Sequence, residues 1–127
     1  MAMFSEAPRD FTAADIPAPE IIDPNSVPSY RWGFIGAGDI AEVMAAAPAK
    51  HTNQRVVAVG SQTPGKGKAF ADRFGIERHY DNYADLANDP EVDIVYVATL
   101  PHTHLADARH AIRAGKHVLI EKPSTMT

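Results

Sequence analysis

Short apolar runs and longer amphipathic stretches alternate along the chain from residue 31 onward. The short runs are rich in Val and Ile and are apolar at consecutive positions. Continuous apolarity at strand length is typical of parallel strands that are covered on both faces. The pattern therefore predicts four buried strands, at residues 32–35, 55–59, 93–98 and 117–120.

The stretches between these runs carry helix signals. A first helix is expected over residues 39–47, with its exit at Pro48. Thr63 and Pro64 form an N-cap and first-turn pair for a second helix that reaches Phe74 and ends at Gly75.

Two further helices are predicted in the second half of the chain. Asp81 or Asn82 can cap a short helix through Leu86 that stops before Pro90. The last helix is closed by Gly115 and is expected to bury one face made of Leu105, Ala108 and Ile112. Alternating strands and helices of this length imply right-handed crossovers, and hence an α/β fold with a doubly wound parallel sheet.

Composition narrows the class of protein. A chain of 127 residues with 45% hydrophobic content can form one packed domain. The absence of cysteine excludes disulfides and thiol catalysis. No apolar run approaches a membrane span and the first residues lack a secretory signal, so we expect a cytoplasmic protein that does not enter a membrane.

The net charge of −4 is confined to residues 1–30, which carry five acidic residues against one arginine. The same segment holds half of the ten prolines, which disfavour helix interiors and sheet pairing. Residues 1–30 are therefore predicted to be either a disordered tail or an extended arm on a neighbouring subunit or domain. The balanced charge of residues 31–127 gives no reason to expect nucleic acid binding.

A glycine motif lies where the first strand meets the first helix. Gly36, Gly38 and Ala41 form the pattern GxGxxA. In a dinucleotide site the first glycine permits a tight turn, the second lets a pyrophosphate approach the backbone, and the small third residue allows close helix packing. The alternative is a tight strand-to-helix turn without a ligand. The strand before and the helix after favour dinucleotide binding.

The end of the second strand bears on which dinucleotide is bound. An NAD site usually has an Asp or Glu there for the adenosine ribose, whereas this chain reads VGSQTPGKGK. Ser61 and Thr63 can donate hydrogen bonds, and Lys66 and Lys68 add positive charge. These features favour NADP, with NAD possible. The alternative is an ordinary capped helix start with two solvated lysines.

The segment AGKHVLIEKPSTMT places Glu121, Lys122 and Pro123 at the carboxyl end of the last strand, where ligands bind in open α/β sheets. Together with GxGxxA and His104, this segment resembles the glucose–fructose oxidoreductase, inositol dehydrogenase and MocA (Gfo/Idh/MocA) family. The resemblance covers residues 31–127 and implies a Rossmann nucleotide-binding domain, that is, the N-terminal domain of an oxidoreductase.

The resemblance also implies roles for individual residues. Lys122 matches a lysine placed near the nicotinamide and the reacting hydroxyl, and is the expected catalytic residue. Lys122 is also expected to contact the cofactor. The other expected cofactor-binding residues form a pyrophosphate loop (Gly36, Ala37, Gly38, Asp39, Ile40), the ribose end (Ser61, Gln62, Thr63, Lys66) and the nicotinamide end (Thr99, Leu100), together with His104 and Glu121. Many NADP-using members have Arg where this chain has Gln62.

A metal site is an alternative use of His102 and His104, which form HxH. No carboxylate motif accompanies the pair, so no metal is expected. Other interpretations make His104 a hydrogen-bonding residue at a helix start and Lys122 a salt-bridge partner of Glu121.

The sequence stops four residues after Pro123, whereas enzymes of the family continue with another helix and strand that complete the nucleotide-binding domain. A second α/β domain that supplies the substrate pocket then follows, so the Rossmann domain is expected to be incomplete at its C-terminal end. We therefore expect a cofactor-binding part of an oxidoreductase that acts on a sugar, a polyol or a related alcohol/carbonyl pair, inactive by itself. The alternative is a stand-alone dinucleotide-binding or regulatory module. A homo-oligomer is compatible with either expectation, and a flavin or S-adenosylmethionine site is a minor third option.

Overall fold

A computed structural model describes residues 12–126. Its centre is a sheet of five parallel strands in the order β3-β2-β1-β4-β5. The strands are β1 (Arg31–Ile35), β2 (Arg55–Gly60), β3 (Arg78–Tyr80), β4 (Ile94–Val97) and β5 (His117–Ile120). The sequence prediction of a doubly wound parallel sheet is confirmed.

The carboxyl ends of four strands are level with one another. Ile35 of β1 pairs with Gly60 of β2 and with Val97 of β4, and Val97 in turn pairs with Ile120 of β5. Because the strands are parallel, the loops that follow them all leave the sheet at the same end, the carboxyl ends of the strands. This register brings together the segments in which the candidate site residues lie.

Within the described residues, four helices cover the sheet: α1 (Asp39–His51), α2 (Lys66–Phe74), α3 (Tyr83–Ala87) and α4 (His104–Arg113). Short 3-10 turns occupy Ala13–Asp15, Pro24–Ser26 and Pro101–Thr103. One face of the sheet packs Phe34 and Tyr96, in an edge-to-face contact of 5.0 Å, against α1 and α2. The other face packs Ile35 and Val95 against α3 and α4. Two apolar layers flank the sheet, as a doubly wound arrangement requires.

The boundaries of two helices differ from the sequence prediction. α1 continues through Pro48 to His51, since the Pro48 carbonyl still accepts hydrogen bonds from the backbone and hydroxyl of Thr52. α2 begins at Lys66 after Gly65, whose φ of 77° turns the chain, so Thr63 is not its N-cap. The predicted end at Gly75 and the predicted Asn82 cap of α3, which accepts from the Asp85 N–H at 2.8 Å, are confirmed.

Three expectations about strands and buried faces were wrong. β3 was not predicted, because three residues, two of them charged or polar, give no apolar signal. α4 leaves Leu105 and Ile112 exposed, and its buried residues are His104, Asp107, Ala108 and Ala111. β5 is not buried on both faces: Leu119 is 43% exposed, because β5 is an edge strand that pairs only with β4 among the described residues.

The segment before β1 is attached at the amino ends of the strands, opposite the loops that follow their carboxyl ends. Gln54 donates to the Pro28 carbonyl and accepts from the Tyr30 N–H, while Asn53 donates to the Val27 carbonyl. Residues 12–26 are exposed and their hydrogen bonds are local. Residues 1–11, which belong to the predicted arm or tail, lie outside the described residues. Among the helices of residues 12–126, none combines the length and apolarity needed to cross a membrane.

Candidate functional site

A cleft of about 490 Å³ opens at the carboxyl ends of β1, β2 and β4. Eleven of the predicted site residues line it: Gly36, Ala37, Gly38, Asp39, Ile40, Ser61, Gln62, Thr63, Lys66, Thr99 and Leu100. The structure therefore brings the three predicted loops to one place. His104, Glu121 and Lys122 do not line the cleft.

The turn between β1 and α1 forms the middle of the cleft. Gly36 has a φ of 103°, and a Cβ at this position would lie 2.9 Å from the Ala98 carbonyl oxygen. A side chain is therefore excluded by both conformation and space. Gly38 is the N-cap of α1, and a Cβ there would meet nothing within 4 Å. The backbone at Gly38 is consequently open to the cleft, next to the positive end of a helix of 13 residues.

The β2 side of the cleft carries hydroxyl groups and one unpaired cation. Ser61 is buried, and its hydroxyl oxygen accepts a hydrogen bond from the Thr63 N–H at 3.2 Å. Lys66 is exposed and makes no ion pair within residues 12–126. Lys68, in contrast, pairs with Asp72 at 2.6 Å on the outer surface of α2 and does not line the cleft. Lys66 is thus the cation available at this end.

The β4 side of the cleft is a rigid turn. The Ala98 N–H donates to the Ile35 carbonyl at 2.8 Å, which holds the turn beside β1. The Thr99 hydroxyl donates to Asp107 Oδ2 at 2.6 Å. Leu100 follows and is 66% exposed, and Pro101 begins the 3-10 turn that leads into α4. Thr99 is therefore fixed, whereas Leu100 presents an apolar surface to solvent.

His104 lies behind the cleft and has no exposed surface. Its Nδ1 is 2.8 Å from the Pro123 carbonyl oxygen, and its Nε2 is 2.9 Å from the Thr99 carbonyl oxygen. The expected direct contact with a cofactor does not fit this burial. His104 joins the turn after β4 to the segment after β5.

Glu121 and Lys122 extend from the carboxyl end of β5. The Glu121 N–H donates to the Val97 carbonyl, and the Glu121 carboxylate accepts from the Tyr96 hydroxyl at 3.1 Å. Burial, with the Glu121 carboxylate as a further cause, raises the pKa of Tyr96 to about 12. The second Glu121 oxygen accepts from the Lys122 backbone N–H at 2.9 Å. The alternative of a side-chain salt bridge between them is not formed, and the Lys122 side chain is exposed.

Sequence reasoning missed Tyr83 and Asp107, which are 8% and 5% exposed and line the cleft from α3 and α4. Burial, followed by the Asp107 charge, raises the pKa of the Tyr83 hydroxyl, and a hydrogen bond from the Gln62 backbone opposes this shift. A signal for Asp107 was present: it lies three residues after His104 and one before Ala108, on the same helical face.

A paired metal site at His102 and His104 does not fit the geometry. His102 is exposed, whereas both ring nitrogens of His104 already contact carbonyl oxygens. Within residues 12–126, no three His, Asp or Glu side chains converge on a possible metal position.

A glycine turn and an open helix N-terminus at the switch point of a 3-2-1-4-5 sheet are the features of dinucleotide-binding Rossmann domains. Residues 30–127 match the family described as an oxidoreductase family with an NAD-binding Rossmann fold, named GFO_IDH_MocA. The chain belongs to this Gfo/Idh/MocA family, in agreement with its sequence motifs.

The chain is also similar to individual oxidoreductases. It is 42% identical over 97 residues to a 1,5-anhydro-D-fructose reductase of Ensifer adhaerens, covering 76% of this chain and 29% of the relative. A structure of a 3-ketoreductase mutant from Actinomadura kijaniata with TDP-benzene and NADP is 37% identical, with a TM-score of 0.71 over 77% of this chain and 30% of that one. A levoglucosan dehydrogenase complex with NADH is 26% identical, with a TM-score of 0.69 over 77% and 28%. The chain thus spans less than a third of each relative.

Proposed function

We propose that this chain binds NADP(H) as the cofactor domain of an oxidoreductase that transfers hydride between the cofactor and a sugar, a polyol or a related alcohol/carbonyl pair. The observation that carries the proposal is the open backbone at Gly38 beside the tight turn at Gly36. A pyrophosphate would accept hydrogen bonds from the amides of residues 38–40 and face the positive end of α1. The bound nicotinamide supplies the hydride chemistry.

The preference for NADP(H) is argued from the β2 side of the cleft. None of the residues after β2 that line the cleft is acidic, so this loop itself does not repel a 2′-phosphate. Ser61, Thr63 and unpaired Lys66 can instead donate hydrogen bonds to it. Gln62 is neutral and is compatible with either cofactor.

Lys122 is the proposed catalytic residue. Its backbone is held by Glu121, which Tyr96 holds in turn, so the lysine leaves β5 from a fixed point. An ammonium group there would orient a substrate oxygen and stabilise developing alkoxide charge. We place the substrate contacts in the part of the relatives that this chain does not span. The 127-residue chain by itself is accordingly expected to bind cofactor without turnover.

Cofactor affinity tests the proposal. Calorimetric titration of the chain with NADPH and NADH should give tighter binding of NADPH. Replacing Lys66 by Gln should weaken NADPH binding by about tenfold, as expected for one charge-assisted hydrogen bond, and leave NADH binding nearly unchanged. Lys68→Gln is the matched control, because Lys68 pairs with Asp72 outside the cleft. Equal or tighter binding of NADH would overturn the NADP(H) preference, and turnover of a polyol by the chain alone would refute its inactivity.

A further inference from the structure

Two side chains in the cleft have hydrogen-bonding capacity that no group within residues 12–126 uses. Asp107 accepts from the Thr99 hydroxyl through Oδ2, and Oδ1 has no hydrogen-bond donor among residues 12–126. The carboxylate is nevertheless held in a residue that is only 5% exposed. Asp107 Oδ1 is not among the fully buried atoms that lack a partner within residues 12–126, so this oxygen stays accessible to a ligand that enters the cleft.

Tyr83 offers a hydrogen-bond donor, whereas Asp107 offers an acceptor. Within residues 12–126, no group accepts the proton of the Tyr83 hydroxyl. Its ring is held in place against Gly60 and Leu86, because Gly60 leaves room for it. The hydroxyl is therefore a positioned donor in the same cleft as the Asp107 acceptor.

This donor and acceptor lie at the end of the cleft where the β2 loop faces the start of α4. Gln62 lies on one side, and Leu100 and Thr103 lie on the other. In a Rossmann domain the adenosine half of the dinucleotide lies beyond the pyrophosphate on the β2 side. A base that enters between Gln62 and Leu100 would meet Tyr83 and Asp107 with its edge. This placement puts Thr99 and Leu100 beside the adenine, rather than at the nicotinamide end that the family resemblance implies.

We propose that Asp107 and Tyr83 read the adenine base of the dinucleotide, with Asp107 accepting from the 6-amino group and Tyr83 donating to N1. Adenine offers an amino donor beside a ring acceptor, which matches a carboxylate beside a hydroxyl. Hypoxanthine offers a carbonyl oxygen beside a ring N–H, so its oxygen would face the carboxylate. Thr99 acts as a positioning residue, since its hydroxyl fixes the Asp107 carboxylate. This inference rests on the proposed dinucleotide-binding function and adds a specificity for the base.

The test compares NADP⁺ with nicotinamide hypoxanthine dinucleotide phosphate, which differ only at the base edge. We expect the unmodified chain to bind the hypoxanthine form at least about tenfold more weakly, because a charge-assisted hydrogen bond is lost and an oxygen faces a carboxylate. Calorimetric titration measures both dissociation constants, so catalysis is not needed.

The variant Asp107→Asn sharpens the comparison. An amide can accept from the amino group of adenine or donate to the oxygen of hypoxanthine, so the affinity ratio should fall to within about threefold of unity. Asp72→Asn is the matched control, because it makes the same charge change on the exposed surface of α2 and should keep the original ratio. A purely structural role for Asp107 would weaken both dinucleotides equally and leave the ratio unchanged.

The outcomes separate the two proposals. If neither dinucleotide binds to a folded chain, the proposed function fails. If both bind equally well to the unmodified chain, or if Asp107→Asn keeps the ratio, dinucleotide binding stands and base reading by this pair is wrong. Should Asp107→Asn not fold, as judged by circular dichroism, the unmodified chain still decides the ratio. Tyr83→Phe then tests the N1 contact, with weaker NADP⁺ binding expected.

Discussion

Gly36 and Gly38 belong to the same turn but differ in what the structure requires of them. Gly36 adopts a backbone conformation that L residues rarely take, and it packs against the Ala98 carbonyl. Gly38 has an ordinary φ of −94° and faces open space. The first glycine is required by the fold, and the second is required only by what approaches it from the cleft.

Alanine should therefore affect mainly the stability of the fold at Gly36 and mainly dinucleotide binding at Gly38. Gly36→Ala should lower the free energy of unfolding by about 1–3 kcal/mol, because it combines backbone strain with a backbone clash. Gly38→Ala should cost less than about 1 kcal/mol and should weaken dinucleotide binding, since its methyl group enters the cleft. Urea unfolding and calorimetric titration of both variants measure the two quantities. A Gly36→Ala variant with an unchanged free energy of unfolding would contradict the conclusion that the fold requires glycine at this position.

At the scale of elements, His104 joins two segments that are far apart in sequence. It connects the turn after β4 with the residues after β5, and it occupies the first position of α4. Because Pro123 follows Lys122 directly, we expect the orientation of Lys122 to depend on this connection. An interaction over 19 residues thus positions the proposed catalytic group.

Replacement of His104 by Ala should destabilise the protein by about 2–4 kcal/mol, because it opens a cavity and removes the ring that contacts the Thr99 and Pro123 carbonyl oxygens. Amide hydrogen exchange should increase in residues 121–126 more than in β1. His102→Ala, on the exposed side of the same turn, should change neither property. Unchanged exchange after Lys122 in the His104 variant would show that the connection has no positioning role.

These elements also show which features the sequence could reveal. The four longer strands and the glycine turn were predicted because each depends on a local pattern of apolar residues or glycines. The position of His104 and the burial of Asp107 depend on contacts with Pro123 and Thr99, which no local pattern encodes. The buried face of α4 was predicted wrongly for the same reason: its polar residues are buried because partners elsewhere satisfy them.

At the scale of the whole molecule, the cleft and the Arg31–Asp93 ion pair lie at opposite ends of the strands. The cleft lies at the carboxyl ends of the strands, whereas Arg31 and Asp93 join the amino ends of β1 and β4. Two side-chain nitrogens and the backbone N–H of Arg31 donate to the Asp93 carboxylate. These hydrogen bonds lower the pKa of Asp93 to about 2.

This pair predicts how stability depends on pH. Because the pKa of Asp93 is lower in the folded than in the unfolded chain, its contribution is present above about pH 4 and is lost as the pH falls towards 2. Asp93→Asn should flatten this part of the profile of unfolding free energy against pH, measured by urea unfolding. At neutral pH the variant should bind dinucleotide with unchanged affinity, since Asp93 lies away from the cleft. An equally steep acid profile in Asp93→Asn would assign the effect to other carboxylates.

The attachment of Val27 and Tyr30 to Asn53 and Gln54 has a practical consequence for anyone handling this protein. It anchors the polypeptide at the amino ends of the strands, away from the cleft. The five residues of β1 separate these amino ends from the carboxyl ends by about 16 Å. A fluorophore or surface tether placed immediately before Val27 would therefore stand clear of the ligand. Chains immobilised in this way would present their clefts to the solution.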